Sequence, residues 1–87
     1  MLVCNGDISL ECSILRTYTV GDAICVKFDI FKPASPEDIK ALFADHTFYF
    51  HDEILDGRLP VTENKIIVGL SIDYNAFPTY KIKIKLK

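Results

Sequence analysis

Two histidines, His46 and His51, stand among Asp45, Asp52 and Glu53 in the stretch ADHTFYFHDEILDG, and these residue types ligate metals or relay protons. Their spacing argues against both uses. Side chains alternate between faces on an extended segment, so imidazoles five residues apart point to opposite sides of a sheet. No H-x-x-x-H spacing brings two histidines to one face of a helix. Asp52, Glu53 and Asp56 read instead as a solvated acidic turn beside Asp56-Gly57.

The other reactive types are equally uncommitted. Cys4, Cys12 and Cys25 are odd in number and fit no C-x-x-C spacing, which points to free core thiols in a reducing compartment. Neither G-x-S-x-G nor a cysteine-nucleophile signature occurs. Gly6, Gly21 and Gly57 are isolated turn glycines, not a phosphate loop. Gly69 falls inside a strand pattern, where glycine marks a bulge, strong curvature or the close approach of the helix or a ring such as Phe48 or Tyr80. No catalytic, metal or cofactor-binding residue is assigned, no cofactor and no small-molecule substrate is expected, and the chain reads as a non-enzyme.

One pattern survives. In TYKIKIKLK, Lys81, Lys83, Lys85 and Lys87 alternate with Tyr80, Ile82, Ile84 and Leu86. As a nucleic-acid track, the ammonium groups would stand roughly 6.6–7 Å apart, near a phosphate repeat. Such tracks come with stacking aromatics and a basic domain. Here Tyr80 is in phase with the isoleucines, the net charge is -2, and residues 1–78 carry six basic and all twelve acidic groups, net -6. Nucleic acid is therefore not the expected partner. The lysines are either the wet side of a strand, answering Asp73, Asp29 or Glu11 on neighbouring strands, or a face for an acidic protein partner. They are the candidate partner-binding face, and Asp52, Glu53 and Asp56 the candidate acidic turn.

The elements that position these groups are mostly strands, because period-two alternation dominates. The 49% hydrophobic content, with six phenylalanines and four tyrosines, suffices for one compact core, so residues 1–87 form a single domain. MLVC and DISLECSIL flank Asn5-Gly6, a hairpin signal in which both turn positions tolerate positive φ. Ile8, Leu10, Cys12 and Ile14 face one way. After Gly21-Asp22, Ile24, Val26, Phe28 and Ile30 repeat the inward pattern, with Cys25, Lys27 and Asp29 outward. At KPASPEDIKALFADH the period changes to helical. Ser35 is the N-cap, Pro36 the first helical residue, and Ile39, Leu42 and Phe43 the apolar stripe of a short helix near residues 36–44. TFYFH resumes as a strand, Pro60 confines its segment to an edge strand, irregular hairpin or loop, and KIIVGLSIDY presents Ile66, Val68, Leu70, Ile72 and Tyr74 on one face. The expected fold class is α+β: a mainly antiparallel β-sheet of about five to seven strands, curved or closing into a small open barrel, with one short helix.

This order of elements, with its Asn-Gly hairpin, capped SPEDIKALFADH helix, aromatic strand, Asp-Gly turn and closing pair KIIVGLSIDY and KIKIKLK, resembles small structural proteins of the tail-encoding modules of phages and prophages of Gram-positive bacteria. The resemblance implies a non-enzymatic assembly protein working through sheet faces or edges with other virion or host proteins; separately, extended strands able to pair across molecules allow self-association through strand edges. Small phage α+β inhibitors of host defence enzymes offer the alternative, a binding module that inhibits or regulates a host protein. No leader or run of about 18 apolar residues is present, so the expected location is the cytoplasm, or the virion for a phage structural protein, with no membrane partner.

Overall fold

A computed structural model describes residues 1–45, 47–55, 57–59 and 64–87. Seven strands and one helix follow in the order β1 (Leu2–Asn5), β2 (Ile8–Val20), β3 (Ala23–Phe31), α1 (Pro36–Leu42), β4 (Tyr49–Asp52), β5 (Gly57–Leu59), β6 (Ile67–Asp73) and β7 (Thr79–Leu86). All pairings are antiparallel, in one open sheet of order β5-β4-β1-β2-β3-β7-β6. The α+β fold is the expected one.

The two short hairpins follow from glycine. Asn5 pairs with Ile8 and Val20 with Ala23, so the central turn residues are Gly6-Asp7 and Gly21-Asp22. Gly6 has φ 59° and Gly21 φ 62°, each at the first central position, the type II′ pattern. The first turn is therefore one residue later than Asn5-Gly6. Asn5 instead reaches across the fold. Its amide donates to Leu42 O at 2.9 Å and to Asp45 Oδ1 at 3.0 Å, tying the hairpin to the end of α1.

The long β2 joins two halves of the sheet. Glu11 to Ile8 pair with β1, while residues from Cys12 onward pair with β3. The halves fold onto each other, because Phe28 of β3 meets Phe50 of β4 edge-on with ring centroids 5.1 Å apart, although β1 and β2 lie between them in the sheet order. Strong curvature of a twisted sheet is what allows this contact. Phe28, Ile30, Phe48, Phe50, Ile82, Ile84 and Leu86 fill the space between. At about 1.5–3 kcal/mol for each large apolar side chain removed from water, this cluster is the main stabilising term.

Helix α1 closes the core where the sequence places it. Ser35 Oγ accepts from Asp38 N at 3.2 Å, Pro36 starts the helix, and Glu37 and Asp38 complement its positive end. Ile39 and Leu42 are buried and Phe43 packs edge-on against Phe48. On the other side, Tyr80 Oη donates to Ala34 O at 2.6 Å, fixing the approach to the helix against β7.

Two strands break their own alternation. In β2 the register shifts between Ile14 and Arg16, with Leu15 as the extra residue. In β6 it shifts between Ile67 and Gly69. The second shift corrects the inner face expected of β6. Ile67, Ile72 and Tyr74 pack against the core; Leu70, opposite Ile84, keeps the expected inner phase but is exposed because β6 lies at the edge of the sheet, and only Ile66 and Val68, on the far side of the phase change, leave the expected face. Gly69 thus sits at a bulge, as glycine in a strand suggests, but its close neighbour is Lys85 Cβ at 3.4 Å from where a β-carbon would stand, not the helix or a ring. Strand β5 is a short edge strand, and Pro60 lies outside the described residues.

Candidate functional site

Strand β7 realises the TYKIKIKL alternation: Tyr80, Ile82, Ile84 and Leu86 are buried, and the lysines are exposed on the outer face. Register decides what each lysine meets, since directly opposite residues share a face. Lys81 stands between Asp29 and Asp73, and its Nζ bonds Asp29 Oδ2 at 2.9 Å. Asp73 turns its own carboxylate to Asn75 N at 3.0 Å. Lys87 reaches Asp22 at 3.7 Å, a contact between two well-exposed side chains that contributes little. Glu11 pairs with Leu2, in the other half of the sheet, and answers no lysine.

Lys83 and Lys85 have different neighbours. Lys83 lies between Lys27 and Ser71, and Lys85 between Cys25 and Gly69. Lys27 in turn lies opposite Arg16. Arg16, Lys27 and Lys83 thus form one row across β2, β3 and β7, spaced by the roughly 4.8 Å between neighbouring strands. Among the described residues, none of the three, nor Lys85, has a carboxylate within 4.0 Å. Like charges placed directly opposite destabilise a sheet, so this row is a cost to the fold, not one of its supports.

The bulge at Leu15 creates the row. Continuing the phase of Ile8, Leu10, Cys12 and Ile14 would send Arg16 and Tyr18 to the core side. The extra residue turns them outward to join Lys27 and Cys25. Tyr18 then lies beneath the cations, with Arg16 Cζ 4.9 Å and Lys27 Nζ 5.9 Å from its ring centroid. Leu15 itself is 57% exposed. With Lys27, Asp29, Ser71, Lys81 and Lys83 it lines a shallow depression of about 240 Å3. Cys25 and Asp29 face outward yet are buried.

The acidic turn lies at the other end of the strand order, between β4 and β5. Asp52 Oδ1 accepts from Ile54 N at 3.0 Å and Leu55 N at 3.2 Å, the local bonding that favours Asp in turns. Glu53 is exposed, Ile54 is 94% exposed and Leu55 77% exposed. Asp56 lies outside the described residues, as does His46. Asp45 accepts from Thr47 N and Thr47 Oγ1, so it too serves a local turn.

The three thiols are buried and unbridged. Burial pushes the Cys12 thiol from the ordinary 9.0 up to about 11, against the pull of the N-terminal ammonium and with a small addition from Cys4. The neutral thiol is thereby favoured in the folded chain. Its contribution is complete below pH 9 and is lost as pH rises, at about 1.4 kcal/mol per pH unit between 9.0 and 11. Urea midpoints of the wild type are expected to fall more steeply over that window than those of Cys12→Ala; parallel curves would contradict it.

No helix among the described residues is long and apolar enough to cross a membrane. No family model, curated protein or solved structure matches the chain.

Proposed function

We propose that the chain is a non-enzymatic binding module whose outer sheet face docks an acidic surface of another protein. The observation that carries this reading is the row Arg16–Lys27–Lys83, three cations set side by side with no acid to answer them among the described residues. A sheet that carries such a row bears its repulsion until an anionic surface neutralises it. The adjoining Leu15, 57% exposed, adds apolar area, which suits a protein surface. A nucleic-acid strand fits less well, because Tyr18 is covered by Arg16 and Lys27 and the stacking platform such strands use is missing from this row. Assembly with further structural proteins, as in phage tail modules, is the setting the element order favours; inhibition or regulation of a host protein would use the same face.

Lys83→Glu tests the reading, since it reverses a charge within the row while leaving the buried side of β7 untouched. Anisotropy of a fluorescent poly-glutamate peptide is expected to report binding that weakens at least about tenfold in the variant, equivalent to about 1.4 kcal/mol. Equal affinity in both proteins would remove the face from consideration. Tighter binding of a single-stranded oligonucleotide than of poly-glutamate would replace the acidic protein with nucleic acid.

A further inference from the structure

Resting on that reading, we propose that the acidic protein surface is supplied by a second copy of this chain, whose Asp52–Leu55 turn seats on the cationic face. The turn carries the two complementary features the face asks for. Glu53 offers a free carboxylate for Lys27 and Lys83, and the adjacent Ile54, the most exposed large apolar side chain in the protein's described part, offers an apolar tip for the depression beside Leu15. The turn is also held in shape before contact, because Asp52 bonds the backbone N–H groups of Ile54 and Leu55. A preformed turn loses little conformational freedom on docking. Two adjacent aliphatic side chains left in water at a turn tip are otherwise a liability.

Topology makes the contact intermolecular. The turn joins β4 to β5 at one end of the strand order, and the face belongs to β2, β3 and β7 toward the other. Each copy then presents one knob and one receptor, so the association is head-to-tail and closes into a ring or extends as a filament. A net charge of only -2 sets up little long-range repulsion between copies. The contact is small, so assembly is weak and concentration-dependent.

The test uses the whole chain and two variants. Ile54→Lys combined with Leu55→Lys removes the knob, and Lys83→Glu removes the receptor; the substituted side chains are exposed, and a melting temperature no lower than that of the wild type confirms that each variant folds. Sedimentation of the wild type is expected to show at least a twofold rise in average mass between roughly 10 μM and about 1 mM, with both variants monomeric throughout. Mixed one to one, the variants recover a single working contact and form a dimer that grows no further. A wild type that stays monomeric, a knob variant that still assembles, or a mixture that fails to dimerise overturns the proposal. Poly-glutamate binding separates this failure from the broader one: if the monomer still binds the peptide through Lys83, only the identity of the partner falls, and if it does not, both readings fall.

Discussion

Phe28→Ala is expected to lower stability by about 3–5 kcal/mol, the range for deleting a fully buried aromatic side chain. Phe28 is 0% exposed, lies 5.1 Å edge-on from Phe50 and 6.2 Å from Phe43, and so joins β3 to β4 and to the end of α1 at once. Collapse around the cavity is restricted because these neighbours are anchored in different elements. The loss would be a large share of the roughly 5–15 kcal/mol that hold a domain folded. Phe77→Ala is the control: that ring is 84% exposed, and its change should stay within about 0.5 kcal/mol. Urea unfolding monitored by circular dichroism separates the two. A cost under about 1 kcal/mol at Phe28 would mean that the halves of the sheet do not close on a common core.

What is legible in the sequence and what is not divides along locality. The cap of α1 depends on Ser35, Pro36, Glu37 and Asp38, neighbours in sequence, and it forms as their chemistry dictates. The alternation of β7 is equally local and equally faithful. The first hairpin is legible only to within one residue, because Asn-Gly suits two central turn positions, and in the fold Asn5 instead bonds Leu42 O across 37 positions of sequence. The face of β6 departs from its alternation because a bulge changes phase without a signature beyond Gly69.

The lysines of β7 are visible in the sequence as a stripe, but their division into paired and unpaired members is not. That division rests on which residue of β3 stands opposite each lysine, and register is a property of two distant segments. Arg16 and Lys27 are hidden for the same reason. Nothing in ILRTYTV announces that Leu15 will bulge and carry Arg16 to the outer side. The repulsion between facing cations is therefore information the folded sheet adds to the sequence.

That division leads to the second large effect, on stability at Lys81. Asp29 is only 8% exposed, its Oδ2 is held by Lys81 at 2.9 Å, and its Oδ1 has no hydrogen-bond partner among the described residues. Lys81→Ala would leave a covered carboxylate without its charge partner, at an expected cost of about 1–3 kcal/mol. The value sits below the roughly 3–5 kcal/mol typical of breaking a fully buried pair, because the Lys81 side chain is itself 51% exposed. Lys83→Ala should instead be neutral or gain about a few tenths of a kcal/mol, since it relieves the contact with Lys27. Combining Asp29→Ala with Lys81→Ala should cost less than the sum of the two, as the orphaned charge is then gone. Unfolding midpoints of the three single variants and the double decide the matter. Equal losses at Lys81 and Lys83 would mean that the stripe acts uniformly, and that the unpaired row is not the part of the face set aside for a partner.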